Sequence, residues 1–224
     1  MAKFHILFAF IFVVFPLIVR AQDSHLEVSL GFREERVAKQ LLAGDVQRIQ
    51  AAEPMLDVRW TKKLDAHWQL TSGLALQMHT NRTWIENGIN FNEQLNFHLL
   101  PVALFGVNRH VFSTKRLDLL VGVNQQFLLI LNRNDVIGSK EGLFKTETVR
   151  KFRTINPISQ ISSQLNYKFK NNKKYLFIQY GYNVGWFHAL ERDVQYDFNS
   201  RTGRAIITTR GTGLQSRIGV GFSL

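Results

Sequence analysis

Residues 175–186 read Tyr-Leu-Phe-Ile-Gln-Tyr-Gly-Tyr-Asn-Val-Gly-Trp. Leu176, Ile178, Tyr180, Tyr182, Val184 and Trp186 fall on one side of an extended chain, and Gln179, Gly181, Asn183 and Gly185 on the other. Successive side chains of a strand point to opposite faces, so this stretch is a strand between two different surroundings. The pattern recurs outward from it. Leu26, Val28, Leu30 and Phe32 oppose Glu27, Ser29, Gly31 and Arg33; near the C-terminus Leu214, Ile218, Val220, Phe222 and Leu224 oppose Gly213, Gln215, Arg217, Gly219 and Gly221. Leu70, Leu74, Leu76 and Met78 oppose Gln69, Thr71, Gly73 and Gln77, and Leu117, Leu119, Val121, Val123 and Phe127 oppose Asp118, Gly122, Asn124 and Gln126.

Counting in this way gives eight strands: the runs from Ser24 and to Leu224, and between them about 54–61, 66–78, 94–108, 116–131, 154–169 and 175–190. Only 94–108 is ambiguous, because Leu99, Ala103 and Phe105 alternate with Leu100, Val102 and Leu104, and Pro101 removes a ladder donor. The connections alternate long and short. Stretches 35–53, 79–93, 132–153 and 191–205 are long; 62–65, 109–115 and 170–174 are tight. An even-stranded meander with all its tight turns at one end predicts an all-β, eight-stranded antiparallel up-and-down transmembrane barrel, with both mature termini on the short-turn, periplasmic side.

A soluble barrel reads with the same alternation inverted, so the content of the faces decides. The polar face is rich in Gly, Gln, Asn, Ser and Thr with isolated charges, whereas a soluble exterior carries many Lys and Glu. It therefore lines the lumen, and the aliphatic and aromatic face meets lipid. Trp60 and Trp68 flank the turn 62–65, and Tyr167, Phe169 and Tyr175 flank 170–174, which predicts an interfacial girdle. Lys62, Lys63, Arg109, Lys115, Arg116, Lys168, Lys170, Lys173 and Lys174 lie at or beside the tight turns, where anionic headgroups are their natural partners.

The 224 residues carry 28 Lys plus Arg against 17 Asp plus Glu, a net charge of +11. Residues 1–21 have a basic start at Lys3, an apolar run from Phe4 to Val19 and a small residue, Ala21, at the expected cut; they read as a signal peptide, leaving 22–224 as the barrel domain. Removing Lys3 and Arg20 with it lowers the charge to +9 and places the mature chain outside the cytoplasm, in the cell outer membrane, so nucleic acid is not expected as a partner. The absence of cysteine excludes disulfides, thiolate metal sites and a cysteine nucleophile. The 7 histidines show no metal-ligand spacing, and neither metal nor cofactor is expected.

The cut before Gln22, the segment Leu99-Leu100-Pro101-Val102, the strand Leu119-Leu120-Val121-Gly122-Val123 and the ending Ile218-Gly219-Val220-Gly221-Phe222 resemble the small bacterial outer-membrane β-barrel domain family that includes PorT-like proteins. That resemblance implies assembly by the barrel insertion machinery, an envelope protein partner and a secretion-accessory role.

Eight strands enclose a lumen just wide enough for side chains to fill. Glu27, Arg33, Asp57, Arg59 and Arg217 are expected to neutralise one another there, as buried charges must. One arrangement points to enzymatic chemistry: Ser159 and His188 fall toward the long-loop end of neighbouring strands, as in a lipid A deacylase-like site, though with no orienting acid. Among the loops, 132–153 carries Arg133, Lys140, Lys145, Arg150, Lys151 and Arg153 against Asp135, Glu141 and Glu147, which suits anionic sugar or lipid headgroups. Within 35–53, Val37, Leu41, Leu42, Val46 and Ile49 predict either a short amphipathic helix or extended flanking strands. The sequence is thus that of a monomeric, non-enzymatic envelope barrel with no catalytic, cofactor or metal residues, in a structural, adhesion or assembly role. The alternatives are a lipid-modifying barrel enzyme and a soluble lipocalin-like carrier.

Overall fold

The computed structural model describes residues 24–36, 39–44, 51–79, 84–85, 89–90, 98–130, 136–138, 144–170, 173–198 and 201–224; residues 1–21, expected to be a signal peptide, lie outside them. Within these the chain forms strands β1 (Ser24–Glu35), β2 (Lys39–Gly44), β3 (Ala51–Lys63), β4 (Trp68–His79), β5 (Trp84–Ile85), β6 (Ile89–Asn90), β7 (His98–Ser113), β8 (Leu117–Leu129), β9 (Val136–Gly138), β10 (Phe144–Lys151), β11 (Ile155–Lys168), β12 (Lys174–Gly185), β13 (Leu190–Phe198), β14 (Arg201–Thr209) and β15 (Gly213–Ser223).

Eight of these close an antiparallel barrel in the order β1-β15-β12-β11-β8-β7-β4-β3. They correspond one to one with the eight runs expected from the sequence. Closure joins the first strand to the last, in a register from His25 opposite Ser223 to Arg33 opposite Gln215. The start of β1 and the end of β15 meet at the short-turn end, where Leu224 N–H donates to the Ser24 carbonyl at 2.9 Å. The tight turns there are held by local side chains. Asp65 accepts the N–H groups of His67 at 2.6 Å and Trp68 at 2.8 Å, which hold its carboxyl below the usual carboxylate range. Thr114 Oγ1 accepts from Leu117 N at 2.9 Å.

Burial follows parity around the ring. On β8 the pattern alternates residue by residue, with Asp118, Leu120, Asn124, Gln126 and Leu128 buried and Val121, Val123 and Phe127 exposed. The ambiguous fourth strand resolves the same way: Leu100, Val102 and Leu104 point inward and Leu99 outward, because Leu100 and Val102 stand opposite the inward Gln77 and Ala75 of β4.

Two expectations are corrected, and one open alternative is decided. Tyr175 is not part of the girdle; it is buried in the lumen, because it shares the parity of Phe177 and Gln179. Gly221 and Gly219 on the adjacent β15 leave room for the two rings: a Cβ on Gly221 would sit 2.1 Å from the Tyr175 ring, and one on Gly219 would sit 2.6 Å from Phe177. Tyr167, Phe169 and Trp68 do face outward, while Trp60 is half-buried. Secondly, of the two alternatives for 35–53 the described part takes the extended one: the flanking β1 and β3 run into it and β2 lies between them, with residues 37–38 and 45–50 outside the described set.

Thirdly, 191–205 and 132–153 are not simple loops. β2, β14, β13, β10 and β9 form a second sheet in that order. It repeats the barrel order β1-β15-β12-β11-β8 strand for strand: β2 follows β1, β14 precedes β15, β13 follows β12, β10 precedes β11, and β9 follows β8. Among the described residues this sheet prolongs the wall on that flank, and the β4–β7 connection carries only the short β5–β6 pair. At one junction Gly211 adopts φ +83°, which favours glycine, and its N–H donates to Glu35 Oε1 at 2.5 Å.

Filling the space over Gly221 displaces the Tyr175 ring into a packed lumen. Gly221→Val is expected to cost about 1–3 kcal/mol of unfolding free energy, measured by urea titration in detergent micelles, while Val220→Ala on the outer face of the same strand costs less.

Candidate functional site

The lumen holds the densest chemistry in the molecule, and strand register builds it. In the β1–β3 pairing, Glu27 stands opposite Arg59, Ser29 opposite Asp57, and Arg33 opposite Glu53. Toward the loop end, the Arg33 guanidinium donates to Glu53 Oε2 at 3.1 and 2.6 Å, Gln77 donates to the same oxygen, and Glu35 lies 4.0 Å from Arg33. In the middle, Asp57 accepts Ser29 Oγ at 2.7 Å and Arg217 Nη1 at 2.7 Å, with Arg59 Nε at 3.3 Å.

Amides complete the layer. Gln215 Oε1 accepts from Gln160 and Asn183, both at 2.9 Å, and Gln215 Nε2 reaches Met55 Sδ. At the short-turn end, Glu27 Oε1 accepts the Tyr175 hydroxyl at 2.7 Å and Gln164 Nε2 at 2.9 Å, and Lys168 pairs with Asp118 at 2.7 Å. Beside the Arg33 layer and toward the loop end the lining turns partly apolar. Met55, Ala75, Leu100, Val102, Leu128, Ile130, Ile158, Ala189 and Leu190 form a buried apolar cluster there.

Every residue expected in the interior network, Glu27, Arg33, Asp57, Arg59 and Arg217, is inside and engaged. Sequence reasoning missed Glu35, Glu53 and Tyr175, and it placed Gln77 on the lumen face without a partner. Glu53 shares the parity of Asp57 and Arg59, a signal present in the sequence, but its pairing with Arg33 depends on a register set across a long connection.

Ser159 and His188 are not brought together as a nucleophile and base. Ser159 Oγ donates to Gln125 Oε1 at 2.7 Å and accepts Trp186 Nε1 at 2.8 Å, forming a small polar spot on the outer wall. The His188 ring faces Arg210 instead, with Nη2 2.9 Å from Nε2. No group of His, Asp or Glu among the described residues is arranged to hold a metal ion. In the second sheet Arg204 forks onto Asp193, at 2.6 Å for its closest contact, and this pairing raises the guanidinium's affinity for its proton. The side chains of residues 133–151 that carry the expected anion-binding loop charge lie outside those described.

No family model and no curated protein matches the chain. Solved structures similar to it include Neisserial surface protein A, at 7% identity and TM-score 0.45 over 91% of this chain and 100% of that one. Ail, the attachment invasion locus protein of Yersinia pestis, gives 9% identity and TM-score 0.38 over 90% and 99%. The outer membrane protease OmpT from Escherichia coli gives 7% and 0.38 over 92% and 98%. Scores below 0.5 at such identities leave role, ligand and location to be read from this chain's own residues.

Removing Asp57 leaves Arg59 and Arg217 facing each other in a buried layer. Asp57→Ala is expected to lower the unfolding free energy by about 3–5 kcal/mol, and Asp57→Ala combined with Arg217→Met recovers part of that loss; Ser72→Ala on the outer wall serves as the neutral control in the same micelle titration.

Proposed function

We propose that the protein is an integral outer-membrane β-barrel with a side-chain-filled lumen, exported by its leader and acting without enzymatic chemistry as a structural, adhesion or envelope-assembly protein. One observation carries this reading: burial is inverted. Leu30, Ile161 and Ile218 are 63%, 65% and 65% exposed, while Glu53 and Asn183 are 0% exposed. Contiguous apolar surface of this extent is not sustained by a monomer in water, whereas hydrocarbon accepts it. Closure supports the same reading, because a ring of strands leaves no backbone edge unpaired in lipid.

A soluble carrier needs an apolar cavity inside and charge outside; this lumen has ion pairs inside and an apolar wall outside. The packed charges and the apolar cluster favour a plug over a solute channel. Basic residues crowd the short-turn rim, where Arg109 lies over Trp68 at 5.6 Å and Lys174 over Phe222 at 5.8 Å. Anionic headgroups of the periplasmic leaflet are the partners that this rim fits. Assembly by the barrel insertion machinery and a secretion-accessory role with an envelope protein partner follow from the resemblance to PorT-like proteins, and deleting the gene tests the latter by its effect on secretion.

In cell fractionation the chain is expected in the membrane pellet, with faster gel mobility before boiling than after. Recovery in the soluble fraction, or mobility that boiling leaves unchanged, refutes the barrel assignment. The purified protein is expected to leave planar bilayers without steady conductance.

A further inference from the structure

At the level where the barrel gives way to the second sheet, four neighbouring junctions carry a basic residue. Arg36 follows β1, Arg210 lies between β14 and β15, His188 between β12 and β13, and Arg153 between β10 and β11. The junctions are stitched side by side: Arg36 N–H donates to the Thr212 carbonyl at 2.7 Å, Ala189 N–H to Thr209 at 2.8 Å, and Phe152 N–H to Ala189 at 3.1 Å. The four basic residues therefore form a row along one half of the rim, directly above the apolar wall of Leu214, Val184 and Ile155, all exposed.

Two of them lie over aromatic faces. The Arg36 guanidinium is 5.8 Å from the Tyr182 ring centroid, and that of Arg153 is 3.7 Å from Phe187. Stacking of this kind orients a planar guanidinium while leaving its N–H edge free for an acceptor. Among the described residues neither arginine has a carboxylate within ion-pair distance, and Arg210 bonds His188 rather than an acid. The neighbouring acids are Glu34, exposed on β1, Glu191, half-buried on β13, and Glu35, which is turned inward to Arg33 and Gly211. Cations thus prevail along the row.

We propose that Arg36, Arg153 and Arg210, the last held in place by His188, form a binding row for the phosphate groups of lipids in the loop-side leaflet. The proposal rests on the membrane reading above and adds a ligand to it. The chemistry fits: guanidinium forks match phosphate oxygens, and a wall of apolar side chains beneath them accepts the acyl chains of the same molecule.

Trp186, exposed and anchored by its indole N–H to Ser159, reports on this site. A variant with Trp60, Trp68 and Trp84 changed to Phe leaves it as the sole tryptophan. In phosphatidylcholine nanodiscs, phosphatidate with brominated acyl chains is expected to quench Trp186 as strongly as about fivefold more brominated phosphatidylcholine, the enrichment that roughly one arginine–phosphate contact confers. Arg36→Gln, Arg153→Gln and Arg210→Gln together should erase the preference, and Arg153→Lys alone should retain most of it; heat-modifiable gel mobility verifies that each variant has closed its barrel. If the triple variant does not close, Arg153→Gln is compared alone with Arg153→Lys.

Equal quenching by both lipids, or a preference that survives the glutamines, overturns the proposal. So does loss of the preference in a millimolar excess of inorganic phosphate, which would mean a seat for the free anion. Quenching by neither lipid removes the membrane assignment itself, an outcome distinct from the others.

Discussion

The rest of the structure depends on the pairing of β1 with β15. An open sheet leaves two rows of amide and carbonyl groups without partners, and in hydrocarbon each such group costs several kcal/mol. Closing the ring removes both rows at once. It also fixes the number of strands, the number of strands fixes the bore, and a bore of this size has to be filled by the side chains that point into it. The cross-strand arrangement of Glu27 and Arg59, of Asp57, Ser29 and Arg217, and of Arg33 and Glu53 is thus a consequence of closure in one register. A slip by one residue would turn these groups to the outside and the aliphatic face inward.

The lumen is built of two materials. Ion pairs and amides run along it from Glu27 to Glu53, and an apolar cluster that includes Val102 and Ile158 packs beside them toward the loop end. Buried ion pairs add little net stability over a well-packed apolar core, but breaking one is expensive. Such an interior gains stability only when all of its members are in place, which favours a single register over near alternatives. The apolar cluster has no directional demands, and it sits where the barrel meets the irregular junctions of the second sheet.

Much of this was legible in the sequence, because parity is a local property. Eight alternating runs, the tight turns and the interior position of Glu27, Arg33, Asp57, Arg59 and Arg217 need only neighbouring residues to be read. Properties set by distant partners were not legible. The inward direction of Leu100 and Val102 is chosen by Gln77 and Ala75 across a strand pair, since both faces of that run are apolar. Arg33 meets Glu53 through a register established across a long connection. Tyr175 illustrates a conflict of cues: its residue type favours an interface, whereas its parity, and the bare β15 backbone at Gly221, favour the lumen, and space decided. The second sheet escaped because its strands alternate weakly and draw their order from the barrel below.

Among the described residues that sheet stands over β1, β15, β12, β11 and β8, while the β4–β7 side carries only the two-residue strands β5 and β6, so the molecule has a front and a back when viewed down the axis of the barrel. A cylinder can greet its neighbours from any compass direction; this one cannot. Held in a membrane as proposed, such a molecule would have to spin into alignment before anything could dock on the tall flank, so that rotation in the plane, as well as collision, would govern how quickly such an encounter succeeds.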